Sequence, residues 1–259
     1  MRFCPCLPPV FGQYLRKDAF VYVKARAFYA QFMQEGDLCF DIGANLGKRT
    51  FIFRRMGVTT VAVEPQAQCR RVLRALYRRD TGVHIMPVAV GAVEGEAEMM
   101  VNVSANSLTT LSRDYVDALK TSGRETNLRW NRHTKVQVAT LDGLIRQYGR
   151  PAFIKIDVEG YELEVLKGLS SPVNALSFEF TPELLEMAAE CVLRLSRLGK
   201  GIFNLSLAET MEWAMEQWVD AAQLTRLLLA RKGDASFLGD IGQGGRGRRH
   251  LPQATGTQL

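Results

Sequence analysis

The segment Asp41-Ile42-Gly43-Ala44-Asn45-Leu46-Gly47 puts a carboxylate ahead of two glycines, after the apolar run Leu38-Cys39-Phe40 and before residues at helical spacing. A strand that ends in such a turn and opens a helix makes a cradle for a nucleotide-type ligand, because glycine lets the main chain come close at a helix N-terminus. Asn45 stands where the dinucleotide fingerprint GxGxxG requires its second glycine, so a pyrophosphate cofactor is not indicated. Asp41 would repel a pyrophosphate but would welcome a nucleoside that carries a cationic sulfonium and an ammonium group.

Glu64 ends the run Thr59-Thr60-Val61-Ala62-Val63, a little over twenty residues after Asp41. At that place in this kind of fold a carboxylate can accept both hydroxyls of an adenosine ribose. Helix capping and surface charge are the plain alternative for both acids, and their position at strand ends beside a glycine turn weighs against it.

A third cluster is Ile154-Lys155-Ile156-Asp157-Val158-Glu159-Gly160-Tyr161-Glu162, where an apolar strand stops in carboxylates and a glycine. Ligands bind at the carboxyl ends of parallel strands, so Asp157 is expected at the centre of the sheet, holding a donor or orienting an acceptor. Group transfer to a nucleophile needs its alignment and, for a hydroxyl, a base. Asp157, Glu159 and Glu179 are the candidate bases. For Glu159, and more so Glu162, an acidic first helical turn favoured by the helix dipole is the competing explanation. The three acids would also suit a magnesium ion with waters, but a metal-free site suits them equally, and none is assigned.

Other residues carry weaker signals. His133 is the one histidine worth testing as a base, and Trp130 the one tryptophan placed to touch an acceptor, whereas Trp213 and Trp218 read as core residues in a helical pattern. Arg70, Arg74 and Arg78 form a stripe opposite Val72, Leu73 and Leu76, which reads as a solvated helix face.

The elements that must position these groups alternate. Strand LCFDIG, a helix to about Met56, strand TTVAVE and a helix from Gln66 to about Arg79 come first. Strand VHIMPVAV and the hairpin-like EAEMMVNV follow, then a polar stretch, residues 104–133, long enough to be an insertion or lid. Next come KVQVAT, helix LDGLIRQYG, AFIKID, a short helix from Tyr161 to Leu166, ALSFEF, a helix opened by Pro182, GIFNLS and a helix from Glu209 to Arg231. This pattern predicts an α/β fold, a Rossmann-like doubly wound sheet that is mostly parallel with an antiparallel edge strand. Ahead of it, Val21, Tyr22, Ala25, Phe28, Tyr29 and Phe32 predict an amphipathic helix packed on the domain from outside and ended by Gly36.

Composition sets the outer limits. A chain of 259 residues, 47% apolar, suits one domain with short additions. The net charge of +6 is spread along the chain and partly gathered in the tail, so it is a weak pointer to nucleic acid. Five cysteines at irregular spacing give neither a disulfide framework nor a CxxC metal pair. Without a leader-like start or an apolar stretch long enough for a span, a soluble, cytoplasmic protein with no membrane partner is expected.

Taken together, DIGANLG with Thr50 following, VAVEP, ATLDGL, IKIDVEGYELEVLKG and SFEFTPE resemble the FkbM family of S-adenosylmethionine-dependent methyltransferases, from about Gly36 to Ile241. The resemblance implies a class I methyltransferase domain over residues 36–241, after an N-terminal segment, 1–35, that carries the amphipathic helix. The Gly- and Arg-rich run after Gly239 reads as disordered, and residues 242–259 are placed outside the fold. By resemblance, S-adenosylmethionine is held by Asp41, Gly43, Ala44, Asn45, Gly47 and Thr50. Its ribose falls to Glu64 and its adenine to the backbone around Ala89, Pro65 is counted among the donor-binding residues, and Asp157 stands near the methyl. Lys48 and Arg49 depart from the aromatic or small residues expected just after the turn.

Such a protein is expected to methylate a hydroxyl on a small molecule or sugar. A nucleic-acid methyltransferase is the first alternative, suggested by the basic charge, but no NPPY-like tetrapeptide or RNA-binding module accompanies it. A cofactor-binding protein without turnover is the second alternative, and the retained IKIDVEG speaks against that decay.

Overall fold

The computed structural model describes residues 19–102, 105–123 and 128–245. Seven strands form the main sheet: β1 (Leu38–Ile42), β2 (Thr59–Val63), β3 (Val83–Met86), β7 (Phe153–Ile156), β8 (Ala175–Phe180), β9 (Gly201–Leu207) and β10 (Gly239–Gly245). Their order is β3-β2-β1-β7-β8-β10-β9. The strands from β3 to β8 run parallel, and β10 runs antiparallel to both β8 and β9, so the mostly parallel sheet with an antiparallel edge is the fold observed. The chain leaves β1 in one direction for β2 and β3 and returns on its other side as β7. The switch point, where such folds bind ligands, therefore lies just beyond Ile42 and Ile156, which are neighbours in register.

Helices cover both faces. On one, α5 (Leu141–Tyr148), α6 (Glu162–Lys167), α7 (Leu185–Leu198) and α8 (Ala221–Ala230) bury Leu144, Leu166, Val192 and Leu228 against Phe40, Ile154, Leu176 and Leu205. The other face takes α1 (Ala19–Tyr29), α2 (Lys48–Arg55) and α3 (Ala67–Tyr77). Alternation along the strands turns Cys39, Phe153 and Ala175 toward α1 and α2, where they meet Ala25, Phe28, Tyr29 and Phe53. Thus α1 is not an outer addition: Tyr29 is 1% exposed and contributes to this second core. Among the described residues no helix is long and apolar enough to cross a membrane.

Several expectations need correction. The run VHIMPVAV is two strands, because Pro87 has no N–H to offer a ladder. β4 (Ala89–Val90) joins a separate three-stranded sheet with β6 (Arg132–Ala139) and β5 (Gly95–Val101). Within residues 104–133 the described part holds a 3₁₀ turn, Asn106–Leu108, and α4 (Arg113–Ser122), whose N-terminus is capped by the Ser112 hydroxyl accepting from the Tyr115 N–H at 3.1 Å. Tyr115, Val116 and Leu119 are buried, so α4 is an integral wall.

The expected helix from Glu209 exists only as α8, opened by the Asp220–Gln223 capping box. Ahead of it Ala208 and Met211 have positive φ, and Trp213 packs on Phe28 with ring centroids 4.5 Å apart, which pins the segment as a loop. Residues 242–245, assigned to the tail from their glycine content, are part of β10. The rest of that tail, 246–259, lies outside the described residues, as does the start of the N-terminal segment.

Candidate active site

The turn after β1 is shaped by its neighbours. The N–H groups of Gly43 and Ala44 both donate to the Val63 carbonyl at 3.0 Å, fastening the turn to the end of β2. Gly43 has φ +83, and a Cβ there would stand 1.8 Å from the Asp157 carbonyl oxygen; at Gly47, φ +89, a Cβ would meet a Leu73 methyl at 2.6 Å. Glycine is required at these two positions by backbone conformation and by packing against the end of β7 and against α3.

A cleft of about 630 Å³ opens at this switch point. Asp41, Gly43, Ala44, Asn45, Glu64, Pro65, Ala89, Asp157, Glu159 and Glu179 all line it. Gly47 and Thr50, expected beside the ligand, do not line it. Thr50 acts from behind, donating its hydroxyl to Asp41 Oδ2 at 2.5 Å. His133 is also away from the cleft, paired with Glu98 at 3.3 Å on the small sheet, and Trp130 donates its indole N–H to the Leu108 carbonyl at 2.7 Å. Neither is positioned for the role considered for it.

Glu64 is 2% exposed and has both oxygens engaged, Oε2 accepting from the Asn45 N–H at 2.8 Å and Oε1 from the Gln66 N–H at 2.7 Å. Burial raises its pKa to about 7 despite those donors. Asp41 is lifted to about 6, again by burial, with the Thr50 hydrogen bond opposing. Arg70 donates to the Glu64 and Pro65 carbonyls, so this member of the arginine stripe is structural.

At the carboxyl ends of β7 and β8, carboxylate oxygens of Asp157, Glu159 and Glu179 converge within 4.8 Å of one another, close enough to share a cation. Burial penalises the ionised Asp157, but Lys155, a hydrogen bond from Glu179 and Arg49 outweigh it and hold its pKa low. Burial and then the charge of Asp157 drive Glu179 well above the usual range and Glu159 to about 8. The Tyr115 hydroxyl donates to Glu159 Oε2 at 2.5 Å, and the Thr110 hydroxyl to the Glu159 carbonyl at 2.6 Å. The cluster thus favours the ionised form at Asp157 and the protonated form at Glu179 and Glu159. Glu162 is buried away from the cleft and accepts from the Val158 and Gly160 N–H groups, bracing the turn.

Sequence reasoning missed the cations that balance these acids. Lys155 is 1% exposed and bonds Asp240 at 2.6 Å, with Asp157 at 3.5 Å. A lysine inside the wholly buried strand Phe153–Ile156 was the available signal, because such a strand otherwise reads as continuously apolar. Arg49, flagged only as a departure from pattern, is buried at the cleft wall and reaches Glu209 at 3.2 Å, while Lys48 reaches the same carboxylate at 2.7 Å.

No curated protein matches the chain. Among solved structures it is similar in outline to a precorrin-6y C5,15-methyltransferase of Geobacter metallireducens, at 9% identity and a TM-score of 0.46, covering 93% of this chain and 92% of that one. A TehB-like SAM-dependent methyltransferase of Corynebacterium glutamicum is similar at 9% identity and a TM-score of 0.42, covering 92% and 95%. A putative methyltransferase of Streptococcus mutans in complex with SAH is similar at 8% identity and a TM-score of 0.40, covering 85% and 94%. Residues 41–199, more than half of the chain, match the methyltransferase FkbM domain, and the chain belongs to that family.

Proposed function

We propose that the protein transfers a methyl group from S-adenosylmethionine to a hydroxyl oxygen of a small molecule or sugar. The chemistry of the cleft fits such a donor: a buried carboxylate, Glu64, for a ribose diol, the apolar wall of Val88, Ala89 and Val90 for a base, and carboxylates Asp41 and Asp157 for cationic groups. When bound, the donor supplies an electrophilic methyl carbon on a sulfonium.

The observation that carries the hydroxyl reading is the convergence of Asp157, Glu159 and Glu179 at the floor of the cleft. A hydroxyl must give up its proton as its oxygen attacks, and a base near neutrality does this best. Glu159, raised to about 8, takes that proton in the molecules where it is ionised, a fraction that grows as pH rises toward that value, while ionised Asp157, fixed by Lys155, orients the hydroxyl and favours positive charge beside it. The Tyr115 hydroxyl holds Glu159 in place. The new oxygen–carbon bond forms as the sulfonium bond breaks, and the proton leaves through the carboxylate.

The test is transfer of labelled methyl from S-adenosylmethionine to panels of sugars, phenols, amines and RNA. Ether products, lost in Glu159→Gln while the donor still binds within a few-fold, support the reading. Label on nitrogen acceptors or on RNA alone refutes it.

A further inference from the structure

Arg49 is the buried group that the reaction as proposed leaves unused. It sits at the second residue of α2, is 9% exposed and lines the cleft beside Asp41. Its Nη2 is held by Glu209, an exposed side chain on the loop after β9, but its Nη1 is buried with no hydrogen-bond partner. Burial opposes its charge, yet Tyr29, Glu209, Asp240 and Asp157 more than offset this, so the guanidinium stays cationic.

A buried guanidinium N–H without a partner is costly, and a native structure keeps one where something else completes it. Arg presents its N–H groups in a planar fork that matches a carboxylate. We propose that Arg49 binds the α-carboxylate of the methyl donor, with Asp41 and Asp157 facing its ammonium. The assignment rests on the donor reading above. An amino-acid zwitterion needs an anion and a cation side by side, and here all three line one cleft, with Asp157 and Arg49 close enough to shift each other's protonation and both shifting that of Asp41. Glu64 follows β2, and Val88, Ala89 and Val90 follow β3, on one side of β1 in the sheet, whereas Arg49 is tied to Glu209 after β9 on the other side, which leaves the Arg49 part of the cleft for the amino-acid end. Glu209 then acts as a carboxylate that presets the guanidinium from the solvent side.

Calorimetry with three ligands tests this: S-adenosylhomocysteine, its carboxamide, and 5′-methylthioadenosine, which lacks the amino-acid group. Wild-type protein should prefer S-adenosylhomocysteine over the carboxamide at least about tenfold, the equivalent of about 1.4 kcal/mol. Arg49→Met should remove that preference and leave 5′-methylthioadenosine binding within about twofold, a ligand that also reports whether the variant is folded; Arg49→Lys should restore part of it. Equal wild-type affinity for acid and carboxamide overturns the assignment without any variant, as does a preference that persists in Arg49→Met. Wild-type protein that binds none of the three overturns the donor reading itself.

Discussion

The main-chain N–H of Asn45 donates to the carboxylate of Glu64 at 2.8 Å, so the turn after β1 and the end of β2 share one side chain. Glu64 therefore shapes the turn as well as facing the cleft, and its two roles are separable by substitution. Glu64→Ala is expected to raise the donor's KM by about 10- to 100-fold, the worth of hydrogen bonds to a charged group, with kcat reduced much less. Glu64→Gln keeps an acceptor for Asn45 and should lose less. Steady-state kinetics with varied S-adenosylmethionine checks both, and wild-type KM in Glu64→Ala would remove Glu64 from the donor site.

Gly43 tests the packing origin of the turn. A methyl group there meets the Asp157 carbonyl at 1.8 Å on a backbone with φ +83, a clash with main chain that no rotamer relieves. Gly43→Ala should cost more than about 2 kcal/mol, combining left-handed strain with overpacking. Denaturant unfolding of the ligand-free protein measures this. A variant of full stability that merely binds donor poorly would return the glycine to a ligand-contact role.

Lys155 anchors the acidic floor. With Asp240 at 2.6 Å and Asp157 at 3.5 Å, it is the near cation for both. Lys155→Met leaves those acids in a low-dielectric layer without compensation, and about 3–5 kcal/mol of stability should be lost. The double variant Lys155→Met/Asp240→Asn should recover part of that loss, because one stranded charge is gone. Equal instability in the single and double variants would show that the lysine acts by packing alone.

Much of the site was legible because two kinds of boundary are sharp in sequence. In FDIGANLG and IKIDVEG an apolar strand stops at a carboxylate beside glycine, and those strands are β1 and β7, adjacent at the switch point. The closing strand was harder: GDIGQGG has the composition of a disordered tail, yet its backbone pairs with β8 and β9, and Gly242 is bare because Trp213 lies over it, 2.5 Å from where a Cβ would be. Asp240 fell inside the domain by resemblance, but nothing local marked it as the partner of Lys155. The segment Glu209–Trp218 has helix-forming composition, but its conformation is set by a tryptophan reaching α1, a long-range contact that periodicity cannot register. Tyr115 meets Glu159 from an element far away in the chain and left no local signal.

The acids of the cleft also predict how the ligand-free protein responds to pH. Burial raises Asp41 to about 6, Glu64 and Glu162 to about 7, and Glu159 to about 8. A carboxyl whose pKa is higher folded than unfolded binds its proton more tightly in the native state. Its stabilising contribution is full below the unfolded range near 4 and disappears as pH rises through the folded value. Asp157 and Glu209 are shifted the other way, and their contribution is lost only in acid. Between pH 5.5 and 8.5 the first group decides the sign, so Tm should fall as pH rises, by about 2–4 °C for each kcal/mol lost in a chain of this size. Glu159→Gln, neutral throughout, should flatten the upper part of that slope. A Tm that climbs over this interval, or a slope untouched in Glu159→Gln, would mean these carboxyls are not held in the protonated state by their burial.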